Sequence, residues 1–233
     1  MLTSYASSSA GNLYAVSDGE TKILLECGLP FKRLSALLGH HVTDYAACFI
    51  SHEHNDHAYH QGDQNTALEL SKRGLPIYCH PDTAKALEIE AEADFMAPGA
   101  CQRVGSLVVT AIEAHHDVPC NGYLIGSIRT GEKLLFAIDT MYIKARFSGL
   151  TEIAVECNFS FEAMRSDDAP ASLKRRIMDS HMAVETFLQF CAANDMARVK
   201  QIHLLHMSND RGNADLFRRM VQEATGCPTE VCK

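Results

Sequence analysis

The stretch AACFISHEHNDHAYH, residues 46–60, constrains this chain more than any other. A short apolar run that reads as a buried strand passes directly into His52, His54, His57 and His60, with Glu53 and Asp56 among them. Side chains two apart in an extended segment point the same way, so His52 and His54 can face one ion from one side. Asp56 and His57 are adjacent, and in a turn they can diverge toward a second ion. Imidazole and carboxylate donors of this kind suit Zn²⁺ and are compatible with Mn²⁺ or Fe²⁺. The spacing therefore asks for a fold in which a strand end meets a metal site.

A two-metal site needs more donors, and other apolar runs end in them. The run SLVVTAIEA (106–114) is followed by His115 and His116, KLLFAID (133–139) closes on Asp139, and VKQIHLLHMS (199–208) carries His206. Asp139 is a carboxylate able to bridge two cations. Strands are also expected over 12–16, 22–27, 46–51, 75–80, 122–128 and 152–157. Helical spacing marks 31–39, 64–74, 81–92, 184–193 and 213–226; in 184–193, Val184, Phe187, Leu188 and Cys191 recur at i, i+3, i+4 and i+7. No repeat or Pro/Gly/Ser linker divides residues 1–233, which predicts a single domain of two β-rich blocks, each followed by helices.

At 233 residues with 46% hydrophobic side chains, there is ample material for a core. The formal charge of −8 argues against a protein that coats nucleic acid by bulk attraction, though not against a local basic groove. Lys174-Arg175-Arg176 and Arg218-Arg219 read as solvated helix faces. The nine cysteines show no CxxC spacing and several lie in apolar runs, as expected of buried reduced thiols. No secretory signal and no apolar run of membrane-spanning length is visible, so a cytoplasmic, non-membrane protein is expected.

These motifs resemble those of the metallo-β-lactamase-fold hydrolases. SHEHNDH is similar to that superfamily's HxHxDH motif, HHDVP to its third motif, AIDT to its fourth and LLHMS to its last. The resemblance implies an α/β (α+β) fold, a four-layer αββα sandwich with a dinuclear site along one sheet edge. It implies one metal held by His52, His54 and His116, the other by Asp56, His57 and His206, with Asp139 bridging. His116 is chosen over His115 because the family places its ligand just ahead of an x-V/I-P segment. YASSSAGNLYAV, SKRGLPIYCH and DSHMAVET further resemble the YycJ/WalJ-like branch, which includes DNA exonucleases and phosphodiesterases. In that comparison Asp56 and His181 become the catalytic residues, and Ser7, Ser8, Ser9 and Asn12 candidates for lining the substrate entrance, with a plain hairpin turn as the alternative reading of these four. Two departures stand out: Glu26 replaces a usual Asp in LLECG, and Ser180 replaces a usual glycine before His181.

A metal-dependent phosphodiesterase or nuclease is therefore expected, acting on nucleic acid or a small phosphodiester. A thioester or lactone hydrolase on the same scaffold is the second reading, and a non-catalytic metal-binding protein the third. The SSSAGN opening favours the first, and the complete donor set opposes the third. His181 would donate a hydrogen bond to the phosphate or protonate the leaving oxygen; a supporting or helix-capping role is the alternative. His40, His41 and His60 are expected at the surface. His80 and His203 are expected to be structural, with His203 facing away from His206.

Overall fold

The computed structural model describes residues 1–233. In chain order the first part holds β1 (Leu2–Ala6), β2 (Leu13–Ser17), β3 (Lys22–Leu25), α1 (Phe31–Leu37), β4 (Cys48–Phe49), a small hairpin of β5 (His60–Gln61) and β6 (Gln64–Asn65), α2 (Thr66–Ser71), β7 (Ile77–Cys79), α3 (Pro81–Ala86) and β8 (Ala93–Phe95). The second holds β9 (Cys101–Val104), β10 (Leu107–Ala114), β11 (Cys120–Ser127), β12 (Lys133–Ala137), β13 (Glu152–Glu156), α4 (Phe161–Ser166), α5 (Ala171–Ser180), α6 (Val184–Ala193), β14 (Gln201–Leu205), α7 (Ala214–Thr225) and β15 (Thr229–Val231). These strands build a six-stranded sheet, β1-β2-β3-β4-β7-β8, and a seven-stranded sheet, β15-β14-β13-β12-β11-β10-β9.

Period-two alternation decides the layering. Tyr14 and Val16 of β2, Ile23 and Leu25 of β3, and Leu134 and Phe136 of β12 all enter one core between the two sheets. Their neighbours point outward: Leu13, Ala15 and Leu24 pack with Leu34, Leu70 and Ala84 from α1, α2 and α3. On the other side Leu135 and Ala137 pack with Phe187, Cys191, Phe217 and Val221 from α6 and α7. Helices thus cover both outer faces, giving the αββα sandwich. Each large apolar side chain buried between layers contributes about 1.5–3 kcal/mol. Tyr14 and Phe136 meet edge to face across the sheets at 5.3 Å.

The sheets are stitched at one end by Asp18. Its carboxylate accepts from the amides of Glu20 and Thr21 and from the hydroxyls of Ser106 (2.7 Å) and Ser127 (2.6 Å). Burial pushes this carboxyl up, but the Ser127 and Ser106 hydroxyls and the two amides outweigh it and hold it well below the usual carboxylate range.

Several elements are shorter than their sequence patterns. The runs 46–51, 133–139 and 199–208 pair only over Cys48–Phe49, Lys133–Ala137 and Gln201–Leu205, because the residues that follow leave the ladder to turn their side chains. Asp139 and His206 take positive φ, 46° and 48°. The expected helix 81–92 stops at Ala86, and Glu88 has φ 56°. Within 64–74 the helix is Thr66–Ser71, capped by Asn65, whose side chain accepts from the Leu68 amide. Strands β1, β8, β9 and β15 and helices α4 and α5 lie outside the expected elements; the four strands have little or no buried apolar run to mark them. All nine cysteines are free, and all but Cys101 are buried. No helix is long and apolar enough to cross a membrane.

Candidate metal centre

Four strand ends deliver the site. Behind β4 the chain passes Ser51 and turns through residues 54–58, with the amides of His57 and Ala58 both donating to the His54 carbonyl. Gly28 lies against this turn so closely that a Cβ there would fall 1.7 Å from the Asp56 carbonyl oxygen, so the motif loop requires glycine at that position. His116 follows β10, Asp139 follows β12 and His206 follows β14.

The ligand-bearing atoms of His52, His54, His116 and Asp139 lie within 4.8 Å of one another, as do those of Asp56, His57 and His206. His54 Nδ1 is 3.2 Å from His116 Nε2, and His52 Nε2 is 3.7 Å from Asp139 Oδ2. Asp56 Oδ2 stands 3.3 Å from His57 Nε2 and 3.2 Å from His206 Nε2. Asp139 sits between the two groups. Its Oδ2 lies 3.3 Å from His57 Nε2 and 3.6 Å from His116 Nε2, while Oδ1 lies 2.8 Å from His206 Nδ1.

A surrounding layer fixes the rings. His116 Nδ1 donates to the Ser180 carbonyl at 2.8 Å, which leaves Nε2 for the cluster. Ser180 therefore contributes its backbone at the position where a glycine was expected. His57 Nδ1 faces Glu26 Oε2 at 3.6 Å, so the departure at Glu26 places a longer buried acid behind that ring. Glu26, like Asp139 and His206, has a left-handed backbone (φ 66°), a conformation costing about 1–3 kcal/mol per residue that recurs where structure serves a site. Ser7 and Asn12 are both buried, and Ser7 shares the lining of one hollow with Ser8. The Ser7 hydroxyl accepts from the His206 amide, and the Asn12 amide donates to the Asp56 carbonyl oxygen. Ser9 lines a hollow with His206 and His181, and Ser8 borders a neighbouring one.

Two acids that the sequence reading did not single out join the cluster. Glu156, at the end of β13, is fully buried, and its Oε1 is 2.5 Å from His181 Nδ1 and 3.3 Å from His206 Nδ1. Its Oε2 accepts from the amides of Thr140 and Met182. Asp117 Oδ1 lies 3.1 Å from His116 Nε2. His181 follows the end of α5 and lines two hollows, one with Met141, Tyr142, Phe159, Phe161 and Met178, the other with His206, Asn158 and Arg211. His115 is set aside: its ring stacks on Tyr142 at 4.2 Å. His40, His41 and His60 are exposed, and His80 caps α3 by accepting from the Asp82 amide.

Burying this much ionisable chemistry requires positive charge among the acids. Burial pushes His52 and His54 down. Burial opposes protonation of His57 and His206 too, but Asp139, Asp56 and their neighbours outweigh it and push both imidazoles well up. His52 Nε2 is buried without any hydrogen-bond partner. With protein groups alone, protons on imidazoles balance the carboxylates. Divalent cations balance them better, because they also satisfy the orphaned His52 nitrogen, and the nitrogen and oxygen donor set fits such ions.

Known proteins resemble this chain in sequence and in fold. The chain is 28% identical over 233 residues to exodeoxyribonuclease YycJ of Bacillus anthracis, covering 94% of this chain and 86% of that protein. It is 25% identical over 228 residues to exodeoxyribonuclease WalJ of Streptococcus pneumoniae, covering 91% and 82%. Among solved structures, the metallo-β-lactamase fold protein YhfI from Bacillus subtilis superposes with a TM-score of 0.70 at 18% identity, over 100% of this chain and 96% of that one. Residues 21–207 match the β-lactamase superfamily domain, and the chain belongs to that family.

Proposed function

We propose that this chain is a dinuclear-metal-dependent hydrolase of phosphodiester bonds, a DNA exonuclease in substrate class, working as one catalytic unit over residues 1–233 in the cytoplasm. The observation that carries this reading is the position of Asp139, with one carboxylate oxygen shared between the His52/His116 group and His57, and the other on His206. In this scheme His52, His54 and His116 hold one ion, Asp56, His57 and His206 the other, and Asp139 bridges. Zn²⁺ suits the donors best, with Mn²⁺ or Fe²⁺ as the alternatives that metal analysis would separate. The exodeoxyribonuclease relatives support the substrate class, and the free buried thiols support a reducing compartment.

When bound, such a pair of cations supplies a deprotonated water near neutral pH and neutralises charge on the attacked phosphoryl group. The chain's own groups do the rest. Glu156 accepts from His181 Nδ1 and orients the ring; burial pushes this imidazole down, but Glu156 and Asp139 outweigh it and push it up, so as an imidazolium it also carries a proton on Nε2 toward the hollows it lines. There it holds a proton for a phosphate oxygen or for the leaving oxygen. Asn12 and Ser7 keep the backbones of Asp56 and His206 in register.

The test assays metal-loaded protein on bis-p-nitrophenyl phosphate, on end-labelled single- and double-stranded DNA, and on a lactone and a thioester. Hydrolysis of the phosphodiesters, lost on chelation and restored by added metal, is expected. Turnover of only the lactone or thioester, or none of any substrate by folded metal-loaded protein, overturns the proposal.

A further inference from the structure

At the lateral edge of the seven-stranded sheet, on β14 and β15, lies a second group of side chains with metal-ligand chemistry. His203 of β14 is paired in register with Glu230 of β15, and Cys232 follows two residues on, so the three share one face of the sheet, with His203 and Cys232 buried and Glu230 at the exposed edge. His203 and Cys232 are 5% and 6% exposed. His203 Nδ1 is 2.6 Å from Glu230 Oε1, Cys232 Sγ is 4.0 Å from the same oxygen, and all three donor atoms lie within 4.8 Å. His203 precedes His206 by three residues on β14, roughly 10 Å of strand rise, and pairs with Ala154 in the middle of β13.

We propose that His203, Glu230 and Cys232 form a second, structural binding site for one thiophilic divalent cation such as Zn²⁺. A tetrahedral ion with bonds of about 2.0–2.3 Å holds its donors roughly 3.3–3.6 Å apart, so the three side chains reach that geometry by shifts of about an ångström or less. An independent feature supports it. Metal-ligating histidines direct their other ring nitrogen at a carboxylate, and His203 Nε2, buried without a hydrogen-bond partner, faces Glu152 Oε2 at 3.5 Å. Glu152 is itself fixed, accepting from the Met1 ammonium at 2.7 Å and the Leu2 amide at 3.0 Å. Burial alone pushes the His203 imidazole down, but Cys232, Glu152 and Glu230 outweigh it and carry it up to about 10, so the pocket favours a cation. A bound ion would fasten the three-residue edge strand β15 to β14.

Cobalt separates this site from the catalytic one, whose proposed donors are nitrogen and oxygen alone. Protein reconstituted with Co²⁺ should show a thiolate-to-cobalt charge-transfer band in the near ultraviolet. Cys232→Ser should abolish that band, bind one equivalent of Zn²⁺ fewer and keep phosphodiesterase activity. Cys120→Ser should keep the band, although the Cys120 sulfur lies 3.7 Å from His52 Nδ1. Glu230→Gln, at an exposed position that tolerates change, should weaken cobalt binding at this site by at least about tenfold. Wild-type protein with no thiolate band, or a band that survives Cys232→Ser, overturns the proposal and leaves His203 a protonated partner of two carboxylates. Neither result depends on which substrate the enzyme cleaves.

Discussion

Asp139 is the residue on which the catalytic proposal turns. Asp139→Asn nearly preserves volume but removes the charge that faces both imidazole groups. We expect loss of at least one metal by elemental analysis and a fall in turnover of more than about 100-fold, beyond what loss of a supporting hydrogen-bond partner causes. The circular dichroism spectrum should be unchanged; full metal content with full activity would remove Asp139 from the bridge. His181 calls for a finer measurement. His181→Ala should leave metal content intact and lower turnover on DNA by roughly 10²–10⁴-fold, the usual contribution of a positioned acid–base group. If it protonates the leaving oxygen, the loss should be smaller on p-nitrophenyl esters, whose leaving group needs little protonation. Glu156 acts through His181, so Glu156→Gln should reproduce that substrate pattern at smaller amplitude, about 10–100-fold. Equal losses on both substrates would make the pair a phosphate-orienting device instead.

Among the elements, the strand ends that carry the candidate ligands were the most legible in sequence. An apolar run that stops on His or Asp is visible without structure, and His52, His54, Asp56, His57, Asp139 and His206 were singled out that way as candidates, whereas the choice of His116 over His115 came from the family resemblance. Glu156 carries the same signature in EIAVE, but a glutamate closing a strand has no motif around it, and its meaning depends on β13 lying between β12 and β14. The bonds that Ser7 and Asn12 make to the backbones of His206 and Asp56 were not legible, because side-chain bonds to distant backbone leave no local pattern. Asp18 belongs here too, since it links the β2–β3 turn to β10 and β11. Its depressed carboxyl means the charged form is preferred in the folded state. Its contribution is therefore complete above about pH 4, the unfolded value, and is lost as pH falls through the folded one. Asp18→Asn should cost about 1.5–3 kcal/mol at neutral pH by urea unfolding. The gap between variant and wild type should narrow below about pH 4; a constant gap would mean that packing, not charge, accounts for the difference.

Across the whole molecule, the proposed ligands divide between the sheets: His52, His54, Asp56 and His57 come from the six-stranded one, His116, Asp139 and His206 from the seven-stranded one. Cations bound there would bind the folded state alone. At about 100 times their dissociation constant they add about 2.7 kcal/mol, so chelation should lower the melting temperature by roughly 5–10 °C. An unchanged melting curve after verified metal removal would contradict this. The same division bears on how the sandwich breathes. Along the edge where the ligands gather the layers share only a few direct hydrogen bonds, from the Asn121 amide to the Ser51 carbonyl, from the Tyr123 hydroxyl to the Ile50 carbonyl and from the His206 amide to the Ser7 hydroxyl. Cations in that seam would act as a clasp, and amides beside it, at the ends of β4, β12 and β14, should exchange with deuterium slowly when loaded and much faster after chelation. Asp18 holds the sheets together at the other end, so exchange there should hardly change, and opening would proceed like a hinge.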